Sequence, residues 1–250
     1  MSSHSDLTTA SDEPSFGDAE AARAHRRERL VLAYRLFGEL HWGELGDGHI
    51  SARDPELTDH FWLLRYGVPF GAATVDDLVL VGPDGTVVEG GDGAEINITA
   101  YHIHWPVHEA RPDVVCAVHT HTPYGTPWSA CAEPFSMLCQ EAVAFLDRQA
   151  VFDDGEVDIR SIDGGKRIAA ALGDGRLAIL RNHGTLTVGA SIDEAMGWYL
   201  MAERVAEVHC KAPRPSPISD DDARRAGGYV ATAQQGWQVF NWAVRARNLI

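Results

Sequence analysis

Two histidines, His119 and His121, stand one residue apart at the end of the apolar run Val114-Val115-Cys116-Ala117-Val118. That run is bounded by Arg111-Pro112-Asp113 and Pro123-Tyr124-Gly125, which predicts a buried strand. Side chains at i and i+2 of a strand share a face, so both imidazoles can reach one point in space. Neutral imidazole is the commonest metal ligand, and such a pair supplies half of a metal site. Spacing alone equally allows two hydrogen-bonded histidines that end a strand. His183, in Arg181-Asn182-His183-Gly184, closes another short apolar strand, Leu177-Ala178-Ile179-Leu180. His102, His104 and His108 lie on a predicted helix, where His104 and His108 are one turn apart and can share a face. One or two of these three are expected to line a site, the rest to be solvated or hydrogen-bonded.

The elements that must hold these side chains follow from periodicity. Ala19 to about Trp42 reads as an amphipathic helix, and Gly43-Glu44-Leu45-Gly46-Asp47-Gly48 as a tight loop whose backbone approaches something closely. His49–Arg53 and Phe61–Leu64 are short strands, and Leu78–Val81 with Thr86–Glu89 forms a hairpin at a sheet edge. Asn97 or Thr99 can cap the histidine-bearing helix, which runs to about Ala110 and in which Pro106 should produce a kink. A short helix is expected from Pro123 to about Ala130, and residues 135–163 read as irregular apart from apolar pieces at 142–146 and 157–159. Gly164-Gly165-Lys166 opens a helix through Leu172, and Thr185–Val188 is a strand. Ser191-x-x-Glu194 is a capping box for a helix to about Cys210. Pro213, Pro215 and Pro217 mark a linker before a last helical segment (219–250), whose Trp237, Phe240 and Trp242 suggest docking on the body or on another subunit.

Composition narrows the partners. A formal net charge of −15 argues against nucleic acid and against an anionic membrane, both of which need Lys/Arg patches. An anionic substrate must then be drawn in by a local positive feature such as a bound cation. No apolar run approaches a membrane span. Residues 1–20 are rich in Ser, Thr and Asp without an apolar core, which reads as a disordered lead-in rather than a secretory signal, before a single domain at 21–250. The four cysteines form no CxxC pair, which fits a reducing cytoplasm and not a cysteine-based zinc site.

The order of these pieces resembles the class II aldolase/adducin family over roughly residues 25–210. The carriers are Gly48-His49-Ile50-Ser51-Ala52-Arg53, Asp77–Val81 with Asp84-Gly85, Ile103-His104 with Arg111-Pro112-Asp113, His119-Thr120-His121, Asn182-His183-Gly184, and Ser191–Ala195. The His-x-His and Asn-His-Gly motifs are the specific part. The resemblance implies a three-layer α/β/α fold on a central, mostly antiparallel sheet. It also implies a homotetramer with sites at subunit interfaces, a small-molecule substrate, and one divalent metal per chain held by His119, His121 and His183. Zinc is the first expectation, with manganese or iron as alternatives, since imidazoles accept all of these.

Departures from the family pattern bear on the reaction. Sugar-phosphate aldolases of the family carry a Ser-Ser-Glu-like segment where this chain reads Asn97-Ile98-Thr99-Ala100, so the acid/base glutamate position falls on Ala100. The family asparagine of the Gly-rich loop is replaced by His49. Alanine cannot transfer a proton. This pattern resembles an adducin-like subgroup of bacterial and fungal proteins. Glu141, His49 and Tyr124 are the candidates for proton transfer, Glu141 because a family tyrosine donor lies a similar distance past His-x-His. The expected function is a metal-dependent carbon–carbon lyase acting on a small non-phosphorylated hydroxy or keto acid through a metal-stabilised enediolate. Decarboxylation is favoured over retro-aldol cleavage because it needs no base at a substrate hydroxyl. Two alternatives stand beside it. One is a mononuclear non-haem iron oxygenase of secondary metabolism, because family members in aminocoumarin antibiotic biosynthesis are proposed to remove carbon oxidatively from aryl-pyruvates. The other is a non-catalytic scaffold like adducin, against which the retained histidines count.

Overall fold

A computed structural model describes residues 13–91 and 93–250; residues 1–12 of the expected lead-in lie outside the described residues. Within the remainder of that lead-in, Glu13 pairs with Arg26, and Asp18 caps the first helix by accepting from the Ala21 N–H at 2.8 Å. Helix α1 (Ala19–Glu39) stops short of the expected Trp42, because His41 takes a left-handed φ of 58° and turns the chain back. There follow β1 (Gly48–Arg53), β2 (Phe61–Leu64), β3 (Leu78–Val81), β4 (Val87–Glu89), α2 (Ile98–Ala110), β5 (Cys116–Thr120) and α3 (Gly125–Ser129). The second half supplies β6 (Gln149–Phe152), α4 (Ile162–Leu172), β7 (Leu177–Leu180), β8 (Gly184–Gly189), α5 (Ile192–Lys211), α6 (Asp220–Val230) and α7 (Ala233–Arg245).

The strands form one eight-stranded sheet in the order β4-β3-β2-β1-β5-β8-β7-β6. Every pairing is antiparallel except β6 with β7. The mostly antiparallel α/β/α expectation therefore holds, and the Leu78–Glu89 hairpin forms the sheet edge as read from sequence. Alternation divides the sheet's side chains. Ile50, Ala52, Trp62, Leu78, Leu80, Cys116 and Val118 pack with α1, α5 and α7. On the opposite face Ala117, Leu186 and Val188 pack with Ile103 and Val107 of α2 and Ile168 and Leu172 of α4. Phe61, Leu63, Val79 and Val81 meet Ala100 and Tyr101 on that same side. The period of two thus sends His49, Ser51 and His119 to the α2 face.

Some local expectations shift. Pro106 sits inside α2 without ending it. The His102 carbonyl, which loses its intrahelical donor to that proline, is covered by α4 at Gly165, where a Cβ would come within 1.9 Å of it. Glu194 reaches back to the Ala190 N–H at 2.9 Å while Ser191 accepts from the Glu194 N–H at 3.1 Å. The stretch read as irregular contains β6, a half-buried edge strand, whereas 157–159 forms no regular element. The C-terminal helical segment comprises two helices, and α7 buries Trp237 and Phe240 while leaving Trp242 exposed.

Candidate metal centre

The site forms where the central strands end. β1 and β5 pair with His49 directly opposite His119, their rings 5.0 Å apart. His121 follows β5 on the same face, and His183 sits in the tight turn joining β7 to β8, where Asn182 adopts a left-handed φ of 56°. The strand β8 pairs with β5, and this brings the turn alongside. One ligand nitrogen from each of His119, His121 and His183 lies within 4.8 Å of the others. The three rings meet edge to face, with centroids 5.5, 4.7 and 5.1 Å apart.

The donor set fits a divalent ion. His119 Nδ1 lies 2.9 Å from the Thr185 carbonyl, which can only accept, so the proton is on Nδ1 and Nε2 is left as a ligand. His121 Nδ1 faces the Asp47 carboxylate at 3.4 Å, a carboxylate–histidine arrangement that orients a ligating ring. Burial first, and then neighbouring imidazoles, hold His119 well below the usual histidine range; the same causes bring His183 down to about 4. Neutral rings are what a cation requires.

The Gly-rich loop places Asp47. Gly48 has φ 138° and lies against Thr120, whose Oγ1 a Cβ would meet at 2.4 Å and which donates to the Asp47 carbonyl at 2.6 Å. Two tyrosines brace the strands that carry the histidines. Tyr199 of α5 donates to the Thr120 carbonyl at 2.5 Å and accepts from its N–H at 3.2 Å. Tyr34 of α1 does the same at Ile50, at 2.7 and 2.9 Å. Glu203 of α5 holds the turn after His121, accepting from Thr122 Oγ1, the Tyr124 N–H and the Gly125 N–H at 2.6, 2.9 and 2.7 Å.

Of the three proton-transfer candidates, His49 alone lies beside the triad. It lines a cavity of about 590 Å³ with Tyr34, Trp42, Leu63, Phe70 and Ala100. Tyr124 and Glu141 line a different cavity of about 440 Å³, between α5 and α7 residues, with Glu203 and Arg204. Sequence reasoning singled out neither Asp47 nor Thr185 nor Ser51 for the site. The Gly-rich loop was a pointer to the first, and the other two depend on cross-strand register.

A mostly antiparallel sheet between helical layers, with three imidazoles converging where its central strands end, is the architecture of class II aldolases. The family of the Class II Aldolase and Adducin N-terminal domain matches residues 28–210, and the chain belongs to it. A relative from Streptomyces roseochromogenus subsp. oscitans, the 4-hydroxy-3-prenylphenylpyruvate oxygenase/4-hydroxy-3-prenylbenzoate synthase, is 35% identical over 94% of this chain and 87% of its own. Decarboxylase NovR from Streptomyces niveus is 34% identical over 91% of this chain and 85% of its own. Among solved structures, an L-fuculose 1-phosphate aldolase from Glaciozyma antarctica PI12 superposes with a TM-score of 0.87 at 33% identity, covering 98% of this chain and 96% of that one. No helix among the described residues is long and apolar enough to cross a membrane.

Proposed function

We propose that the chain is a metal-dependent carbon–carbon lyase acting on a small non-phosphorylated hydroxy or keto acid with an apolar substituent, and that decarboxylation is its favoured mode, a carbonyl next to the carbon that loses carbon dioxide taking up the electron pair as an enediolate. The observation that carries this reading is the convergence of three imidazoles beside a cavity walled by Tyr34, Trp42, Leu63 and Phe70. In that cavity the buried Ala100 replaces the family glutamate, and His49 is the histidine among the lining residues. A divalent ion held by His119, His121 and His183 would supply Lewis-acid polarisation of a substrate carbonyl or carboxylate. The apolar walls would seat the substituent and exclude water, and His49 would make the polar contact nearest the ligands. Names of relatives support the class: one is a decarboxylase, and another is named both a prenylphenylpyruvate oxygenase and a prenylbenzoate synthase.

The oxidative reading keeps its place because the relative named an oxygenase matches 94% of this chain. The same three imidazoles would accept iron(II). A homotetramer with interface sites, which would bring Tyr124 and Glu141 of one copy towards another's centre, is part of the proposal and is testable by light scattering.

Metal content of protein purified without oxygen, followed by turnover on 2-hydroxy-3-oxo-4-phenylbutanoate and on phenylpyruvate with and without oxygen, separates these readings. Zinc or manganese at one per chain with oxygen-independent release of carbon dioxide is the expected result. Iron with oxygen uptake would replace it with the oxidative reading, and absence of stoichiometric metal after reconstitution would overturn both. His183→Ala should lose stoichiometric metal, with affinity down by about 100-fold or more.

A further inference from the structure

The cavity beside the triad has one wall that the proposed reaction leaves unexplained. After β2 the chain passes Pro69 and makes a single 3-10 turn, Phe70–Ala72, which packs against α1. Gly38 lies in the last turn of α1. A Cβ built on it would stand 2.4 Å from the Gly71 nitrogen and 2.5 Å from its Cα, so helix and turn touch backbone to backbone. Arg35 of the same helix donates from Nε to the Ala73 carbonyl at 2.8 Å and pins the far end of the turn.

The ring of Phe70 is fixed on two further sides. Tyr34 meets it edge-on, with centroids 4.9 Å apart and planes at 66°. Gly43, at φ 79° in the Gly-rich loop, lies directly against it, and a Cβ there would come within 2.3 Å of the ring. Phe70 is thus held by α1 and by the loop that carries Asp47 and Gly48 to the metal centre. Exposure separates the aromatic residues of the cavity wall. Tyr34 and Trp42 are spent on the core, at 1% and 8% exposure, while Tyr66 is 58% exposed and faces mostly solvent. Phe70 is half-buried, packed on the core at one side and open to the cavity at the other.

We infer that Phe70 is a specificity-determining residue, and that the corner its ring makes with Tyr34 selects an aryl over a saturated apolar substituent. Two rings set edge to face present a negative face beside a positive edge. A third ring entering that corner gains from both, and a saturated ring of the same size gains from neither. Because the wall is already clamped, little ordering is lost when the ring arrives. The inference rests on the proposed lyase and deepens it: the acid end of the substrate belongs beside His49, and the substituent against Phe70.

The test is calorimetry on zinc-loaded protein, which reads binding without turnover, with phenylpyruvate and 3-cyclohexyl-2-oxopropanoate as matched probes. Phe70→Leu keeps an apolar side chain and removes the ring. It should lower the ratio of phenylpyruvate affinity to cyclohexyl affinity by about 2- to 10-fold relative to wild type, the worth of one aromatic pair. Comparing ratios cancels the difference in hydration between the probes. Phe70→Tyr retains a ring and should keep the wild-type ratio. Pyruvate, which has no substituent to seat, should bind wild type and Phe70→Leu equally. An unchanged ratio in Phe70→Leu would overturn the inference, as would a Phe70→Tyr ratio equal to that of Phe70→Leu. A matching loss for pyruvate would also overturn it, by placing the effect at the metal end. Failure to hold zinc, or zinc-loaded wild type that binds none of the three acids, would instead sink the lyase reading, so the two failures are distinct.

Discussion

The molecule carries two groups of buried or half-buried imidazoles a few ångströms apart, and they are built on opposite principles. In His119, His121 and His183 the ring nitrogens converge on one point, and the hydrogen bond that His119 makes is directed outward, to the Thr185 carbonyl. In His49, His104 and His108 the nitrogens are consumed by one another through Ser51. The first group lacks an internal partner for its lone pairs and could be completed by a cation. The second is almost complete by itself. Residue type is the same in both, although the triad is the more exposed, so histidine clusters must be judged by where their lone pairs point.

The broadest way to probe that contrast is acid. His49, His104, His108, His119 and His183 all have folded pKa values depressed below the ordinary 6.5, foremost by burial. The unfolded chain therefore binds more protons once the pH drops below 6.5, and stability present above that value is lost as pH falls. For His183 the loss runs down to about 4 and for His108 to about 3. Urea midpoints of metal-free protein should be level from pH 8 to about 7 and fall steadily below 6.5. A level midpoint down to pH 5 would mean these rings are not buried neutral. Saturating zinc should delay only the triad's share of the fall, because protons and metal compete for the same nitrogens.

A narrower break targets the support of one group. Asp47→Asn, which removes the carboxylate 3.4 Å from His121 Nδ1, should weaken zinc binding about 10- to 100-fold in a chelator competition. The smallest effect is on stability and runs the other way between the groups. His104→Leu strands the partners of a buried ring and should cost about 1–3 kcal/mol in the metal-free protein. His121→Leu, at a half-exposed position, should stay within about 0.5 kcal/mol. Equal losses for the two variants would erase the distinction drawn between the groups.

These groups also differ in how far the sequence reveals them. The triad announces itself because each member closes an apolar run or follows it by one turn: His119 and His121 after Val114–Val118, and His183 after Leu177–Leu180. Family order then joins the three. The interior series has no such mark. Helical spacing puts His104 and His108 on one face, but their shared partner Ser51 comes from β1, and only the β1–β5 register brings His49 into line with His119. The fold shows the same division. Short-period strands and capped helices were legible, including the Asn97 cap of α2 and the Leu78–Glu89 hairpin. The strand β6 was not, since Gln149–Phe152 is a half-buried edge whose identity depends on its parallel neighbour β7. Tyr124 and Glu141 illustrate the remaining gap. Sequence distance from His-x-His placed Glu141 near a centre, whereas within one chain it and Tyr124 line a separate cavity.

The phenol of Tyr34 has a wider consequence than bracing. Strands β1 and β2 are in register only at Ala52 with Trp62 and Arg53 with Phe61, and beyond those pairs the two strands fork. The hydroxyl is wedged in the fork, bonded to both backbone groups of Ile50 and approached by the Leu64 N–H at 3.4 Å. One oxygen thus stands in for missing rungs of the ladder, and backbone groups that would otherwise be orphaned stay satisfied. The large cavity opens at this fork, with Tyr34, His49, Leu63 and Leu64 on its walls. The sheet is in effect a zipper stopped part-way by a side chain from the helix above it, and the room for a substrate is the length left unzipped.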